Sequence, residues 1–290
     1  MPTNEQRRAA AKRKLERQMV YRQERAKKRR ILAVVSTVVV VALVGAGVWF
    51  LATHDFADGD ASASETPKSE PPKVDIPTEI KPLAKRPTPL AEKVACEYRK
   101  DDSTPPAKQV NAPNGADIPA TGTVNVTLKT NQGDVPITLD RALAPCAANS
   151  FASLVEQGYF NGSPCHRLST KGLQMLQCGD PSGTGSGSPG YKFDNEVWPE
   201  LTYGRGYLAM ANAGPDKTDP KKGTNGSQFF IVYGSAELSP DYTVFGSIGE
   251  AGLKIIDDIA RAGDDGSMDP SPGGGKPNNE VKIESATIVK

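Results

Sequence analysis

Three textures of hydrophobic and polar residues follow one another along the chain. Ile31 to Ala52 is almost wholly apolar and carries no charge. A helix of that length, at about 1.5 Å per residue, reaches roughly 33 Å, the thickness of a bilayer core. The pattern predicts one transmembrane helix over 31–52, with Trp49 and Phe50 as interfacial anchors. Residues 53–119 keep no regular period and hold 11 of the chain's 24 prolines. Proline fixes φ and supplies no backbone donor, so this stretch is expected to be a disordered linker without regular helix or sheet. Its least proline-rich part, Leu90–Arg99, is expected to be locally ordered around Cys96.

From 120 to 290 the texture is that of a folded domain. Val124, Val126 and Leu128 alternate with polar residues, and Val135, Ile137 and Leu139 do so again beyond Asn131-Gln132-Gly133-Asp134. Period-2 alternation across a glycine-containing turn reads as a β-hairpin. Pro136 suggests that its strand has an edge or an irregularity. Ala144 to Gly158 reads as a helix, with Pro145 at an early position, Phe151, Leu154 and Val155 at helical spacing, and Gly158 as the stop. Short strands are expected at His166–Leu168, Leu173–Gln177, Tyr207–Met210, Phe229–Val232 and Thr243–Phe245, then a second helix over Gly252–Ala262 and a last strand over Val281–Val289. Many short strands with two helices predict a mainly β domain, a closed antiparallel barrel rather than a layered α/β sheet.

Charge changes the picture at one end only. The first thirty residues hold 12 Lys/Arg against three Glu, a formal +9; the whole chain is +1, so the remainder carries −8. Basic charge confined to one end argues against a nucleic-acid-binding domain. It is instead the flank of the apolar run. Lys27 to Arg30 on one side and Asp55, Asp58 and Asp60 on the other place 1–30 in the cytoplasm as a basic arm and everything after 52 outside it. A cleaved signal peptide is the rival, with a longer basic region and a longer apolar run than such peptides have. Cys96, Cys146, Cys165 and Cys178 all fall on the outer side, where an even number permits two disulfides in any of three connectivities. A bond from Cys96 to a cysteine of the domain would clip the linker to it.

Candidate chemistry lies in three blocks: Cys165-His166-Arg167-Leu168 with Gln177-Cys178-Gly179-Asp180, then Met210-Ala211-Asn212-Ala213-Gly214-Pro215, then Asn225-Gly226-Ser227-Gln228-Phe229-Phe230-Ile231. In this order they resemble the active face of cyclophilin-type peptidyl-prolyl isomerases, most closely those of Gram-positive actinobacteria. The resemblance covers Gly122 to the C-terminus. It implies an eight-stranded antiparallel barrel capped by two helices, no cofactor and no metal, and proline-containing polypeptides as partners. It also implies Arg167 as the catalytic arginine, Gln177 orienting it and contacting substrate backbone, Ala211 and Asn212 pairing with an extended peptide, and Gln228 lining the groove. Phe230 and Leu238 would wall the proline pocket. His166 reads as a structural histidine, and the run Gly183–Gly187 as a flexible turn rather than a phosphate loop, since it lacks the lysine such loops carry.

The chain departs from the family in places. Arg167 to Gln177 is two residues longer than the usual Arg-x-x-x-Gly-Phe-Met-x-Gln, so the aromatic pocket residue is missing or displaced, with Leu173 and Met175 as replacements. Asp216–Thr224 is an insert beside the groove. Glu237 stands where many members have the tryptophan associated with cyclosporin binding, and Tyr242 where many have a histidine. The expected protein is a monomer anchored in the lipid bilayer through 31–52, with no nucleic-acid partner, isomerising X–Pro bonds of exported proteins. The alternative is a non-catalytic proline-peptide-binding module or chaperone of the cell envelope.

Overall fold

The computed structural model describes residues 74–82, 85–103, 105–214, 216 and 222–289. The basic arm and the expected span over 31–52 lie outside the described residues, as do the early linker and most of the insert after Asp216. No helix among the described residues is long and apolar enough to cross a membrane.

Strands β4 (Thr123–Thr130) and β5 (Gly133–Asp140) form the expected hairpin, with Thr130 opposite Gly133 across Asn131 and Gln132. The alternation read from the sequence is the burial observed: Val126, Leu128, Val135, Ile137 and Leu139 are buried. β6 (Ser163–Pro164), β7 (Arg167–Ser169), β8 (Met175–Cys178), β10 (Tyr207–Met210), β11 (Phe229–Val232), β12 (Val244–Ile248) and β13 (Lys282–Val289) extend it into one sheet ordered β6-β13-β4-β5-β12-β10-β11-β8-β7. Every pairing is antiparallel. The sheet curls until its two outermost strands, β6 and β7, are separated along the chain only by Cys165 and His166. The expected eight strands are thus nine, because one strand is interrupted at these two residues. Pro136 does not mark an edge: β5 lies between β4 and β12, and the β12 ladder stops at Ile137, one residue short of the missing donor.

Helix α1 (Pro145–Glu156) carries Pro145 in its first turn, and Gly158 (φ +66°) follows its end. Its buried Phe151 stacks on Phe160 at 4.7 Å and meets the edge of Phe229 at 5.2 Å. Helix α2 (Glu250–Ala262) buries Leu253, Ile256 and Ile259, and its Asp257 receives both guanidinium nitrogens of buried Arg205 at 2.7 and 2.8 Å. Alternation along β11 sends Phe229 and Ile231 to one face and Phe230 and Val232 to the other. Phe229 meets α1, and Ile231 shares an internal gap with Ile256 and Ile259 of α2. Phe230 and the residues opposite it therefore belong to the face turned away from the helices.

The described part of the expected linker is not a free tether. β1 (Lys93–Val94) pairs with β3 (Ile118–Pro119), and β2 (Arg99–Lys100) with β9 (Tyr191–Lys192). Cys96 is bonded to Cys146 in α1, which is the clip the sequence allowed for. Tyr98 donates to the Cys146 carbonyl at 2.8 Å and lies edge-on to Tyr191 and Phe193. Farther upstream, carbonyls act as acceptors: Tyr207 Oη donates to Pro82 O at 2.6 Å and Gln174 Nε2 to Asp75 O at 2.7 Å. Proline abolishes a donor but leaves its acceptor, so a proline-rich chain docks as an extended strap wherever the partner supplies the hydrogens.

One buried carboxylate ties this extension to α1. Ala144 offers no side-chain cap; instead Glu196 accepts from Cys146 N at 3.0 Å and Ala147 N at 2.8 Å. Arg86 of the extension sits over Trp198, donates to Leu143 O at 2.7 Å and favours the charged form of Glu196. Burial nevertheless pushes the Glu196 carboxyl up to about 7, against the two amides and Arg86. The folded protein holds this proton over a range where the unfolded chain, near 4.3, has lost it, so stability falls as pH rises from about 4.5 to about 7. Urea midpoints of the wild type and of Glu196→Gln measured across that range are expected to diverge, the wild type losing stability relative to the variant as pH rises.

Candidate functional site

Strand register brings the expected site residues together. Arg167 of β7 lies opposite Gln177 of β8, Gln177 opposite Phe230 of β11, and Phe230 opposite Ala209 of β10. Directly opposed residues share a face, so one line across four strands carries the cation, the amide and the aromatic ring. Cys165–Cys178 fastens this line, joining the residue two before Arg167 to the residue after Gln177. Phe230 is buried and meets Tyr242 edge-to-face at 5.6 Å; the Tyr203 hydroxyl donates to Tyr242 O at 2.8 Å and accepts from Tyr242 N at 2.9 Å.

Arg167 is half-buried, and its partners are all neutral oxygens. Nε donates to Gly273 O at 2.9 Å, Nη2 to Pro272 O at 2.7 Å and Nη1 to Gln177 Oε1 at 3.3 Å. A guanidinium has five N–H groups, so two remain for a ligand. Burial lowers its pKa and the adjacent Tyr242 raises it, yet a guanidinium keeps its charge at neutral pH. Among the described residues it makes no ion pair, and the charge is not neutralised in place. Gly274 brings the Pro272–Gly273 turn close enough to act. At φ +79° a Cβ there would stand 2.1 Å from Leu168 O, so only glycine fits.

From Gln177 the hydrogen bonds continue in one direction. Gln177 Nε2 donates to Gln228 Oε1 at 3.0 Å, and Gln228 Nε2 to the carbonyls of Gly185 and Gly187 at 2.9 and 3.1 Å. The amides of Gly185 and Gly187 in turn donate to buried Asp180 Oδ2 at 2.8 and 3.0 Å. Ser182 adds its amide and hydroxyl to Oδ1. Burial pushes the Asp180 carboxyl up, but these donors outweigh it and hold it below the usual range. The glycine run expected as a flexible turn is therefore fastened from within. His166 is buried beneath it; burial lowers its pKa and Arg167 does too, while Asp180 raises it, so at neutral pH it is an uncharged structural residue.

The remaining candidates fall into place unequally. Met175 is buried and shares the Gln177 face, whereas Leu173, Ala211, Leu238 and Tyr242 sit half-buried at the margin of the core. Ala211 is not available as a donor to a peptide, because its amide is bound to Gln228 O at 2.9 Å. Asn212 commits its side chain to Asp241 O at 2.9 Å and to the Gly214 amide at 2.9 Å; among the described residues its backbone amide has no acceptor. Sequence reasoning missed Gln174. It is buried in the lengthened loop, accepts the Ser235 amide at 2.7 Å and holds Asp75 of the extension. Asp180 stands in the first candidate block without a role, although an Asp followed at two and four positions by Ser182 and Thr184 is a turn-forming signal. Gly274→Ala is expected to displace the Pro272–Gly273 carbonyls and lower kcat/KM of any Arg167-dependent activity about tenfold or more. Turnover of a proline peptide, read beside a melting curve, checks this.

Residues 125–288 match the family model described as "Cyclophilin type peptidyl-prolyl cis-trans isomerase/CLD". A "Probable peptidyl-prolyl cis-trans isomerase B" of Mycobacterium leprae is 44% identical over 209 residues, covering 67% of this chain and 67% of the relative. Its namesake in Mycobacterium tuberculosis (strain CDC 1551 / Oshkosh) is 45% identical over 195 residues, covering 62% of this chain and 60% of the relative. A crystal structure of a Cryptosporidium parvum cyclophilin-type isomerase aligns with 58% of this chain and 99% of its own, at 32% identity and a TM-score of 0.46. A family model that spans more than half of the sequence is decisive, and the chain belongs to the cyclophilin-type peptidyl-prolyl cis-trans isomerase family.

Proposed function

We propose that this domain accelerates cis–trans rotation of X–Pro bonds, with Arg167 as the catalytic residue. The observation that carries the reading is an arginine held by three neutral oxygens with two N–H groups to spare, in register with Gln177 and Phe230. Rotation must break amide resonance, a barrier of about 18–20 kcal/mol. As the bond twists, the prolyl nitrogen regains a lone pair that accepts a hydrogen bond, which the planar amide does not. A donor fixed beside that nitrogen therefore favours the twisted state over both planar ones. Phe230 and Tyr242, with Met175, Leu173 and Leu238 around them, give the ring an apolar seat, and Asn212 holds the flanking backbone. No proton leaves the enzyme, so no group has to titrate near neutral pH.

The finer reading is an extracytoplasmic enzyme of exported proteins, a monomer of the actinobacterial type anchored by 31–52 with its N-terminus in the cytoplasm. The apolar run and its charge asymmetry support the anchor, and two disulfides with no cysteine left free support an oxidising compartment.

Arg167→Ala is expected to lower kcat/KM roughly 10²-fold while circular dichroism stays unchanged. An Arg167→Ala protein as active as the parent sinks the mechanism, and a parent that binds proline peptides without accelerating them favours the recognition module. Glu237 is exposed, and cyclosporin A is expected to inhibit only weakly; an inhibition constant below micromolar contradicts this.

A further inference from the structure

The extension, which lies ahead of the 125–288 match, sends an arginine to the loops around Asn212. Arg99 Nη1 donates to Asp194 Oδ1 at 2.8 Å and Nη2 to Gly223 O at 2.9 Å, and its side chain is only 16% exposed. The arginine is itself held in place. β2 pairs with β9, so Arg99 lies opposite Lys192; Tyr98 before it is edge-on to Phe193, and Cys96 is bonded to α1. The two acceptors come from separate loops, one just after β9 and one ahead of β11. A planar guanidinium holds its N–H groups at fixed angles, so a single fork sets how far apart the two loops lie. Gly223 N closes the ring by donating to the same Asp194 Oδ1 at 2.9 Å. The neighbouring ion pair of Lys222 with Glu97 is more exposed and contributes little.

Two routes run from this junction to Asn212. Thr224, next to Gly223, donates its hydroxyl to Gly214 O at 2.6 Å and accepts from Ala213 N at 3.0 Å, which braces the two residues after Asn212. Asn195, next to Asp194, accepts on Oδ1 from Asn225 Nδ2 at 2.8 Å and from Asn212 Nδ2 at 3.4 Å. Asn225 is fully buried, and its Nδ2 also reaches Asp194 O at 3.0 Å. Asn212 is thus framed by the sequence neighbours of the two residues that Arg99 grips. Neither route passes through Arg167, whose partners are Pro272, Gly273 and Gln177.

We propose that Arg99 is a positioning residue of the isomerase, fixing the loop that carries Asn212 and so tightening the hold on the peptide backbone beside the proline. The proposal rests on the isomerase reading and on the place of Asn212 in it, and adds a residue from outside the family domain. Arg99 meets neither the prolyl nitrogen nor Arg167. Its loss weakens an interaction that planar and twisted peptides share, so it acts on binding and spares the rotation.

The test measures kcat and KM separately for one X–Pro peptide with the full-length protein, at a temperature where every variant is folded. Arg99→Gln is expected to raise KM about three- to tenfold and to change kcat by less than about twofold. Arg99→Lys keeps the charge without the fork and is expected to do the same. Thr224→Val cuts one of the two routes and is expected to raise KM as well, but to add less than its own effect when combined with Arg99→Gln, because both act along one path. Arg86→Gln loosens another contact of the extension, and is expected to lower the melting temperature and leave KM alone. A parental KM in either Arg99 variant overturns the proposal. So do Arg99 and Thr224 effects that multiply in full, or an Arg86→Gln protein with an equally raised KM. If the parent accelerates no rotation, the isomerase reading fails instead, and the dissociation constant of the same peptide, compared across the same variants, decides the role of Arg99 with the same outcomes.

Discussion

A cation meant to act on a neutral amide cannot be held in place by an anion, because the anion would take up the field the amide nitrogen is to feel. Arg167 meets this constraint. Its fork is fixed by two carbonyls and a side-chain amide, and the nearest anion in its hydrogen-bond chain, Asp180, is reached only through Gln177, Gln228 and the glycine loop. Each amide in that chain has one end committed, which fixes the other, so neither Gln177 nor Gln228 is free to flip. A carboxylate that never touches the arginine thus fixes the amide on one side of its fork, while the two carbonyls hold the rest. The curled sheet supplies the register, the disulfide between Cys165 and Cys178 ties the strands, and the helices fill the opposite face so that this one stays open.

Much of this was legible in the residues. Alternation over 123–140 predicted a hairpin because one face is buried and the other wet, and the helix over 144–158 followed from Pro145, the spacing of Phe151, Leu154 and Val155, and Gly158. The site was legible as motifs, since a side chain that does chemistry has to be the right residue. What escaped was held by the backbone or by long-range partners. Nothing in Pro272-Gly273 announces that its carbonyls grip Arg167 from more than a hundred positions away. Apart from the order and the clip expected around Cys96, the docking of the described residues between 74 and 119 escaped for a related reason. Proline counting correctly forbids long helices and strands there, but it is silent on an extended chain that offers acceptors to Gln174 and Tyr207.

That strap changes what counts as the domain. Glu196 caps α1 while buried, and Arg86 of the extension is the cation that offsets its charge. Cys96 closes a span of 50 residues to Cys146, a constraint on the unfolded chain of the order of 4 kcal/mol. The stability of the domain thus draws partly on chain that lies ahead of the stretch the family model recognises.

The grip on Arg167 by main-chain oxygens has an evolutionary corollary. A carbonyl is common to every residue, so mutation at 272 or 273 is filtered by the path of the turn and hardly at all by side-chain chemistry. Gly273 at φ +91° and Gly274 at φ +79° both take the left-handed backbone that favours glycine, so the turn constrains its residues through conformation alone. The part of the protein that aims the catalyst is thus specified by the freedom of two glycines and by no reactive side chain.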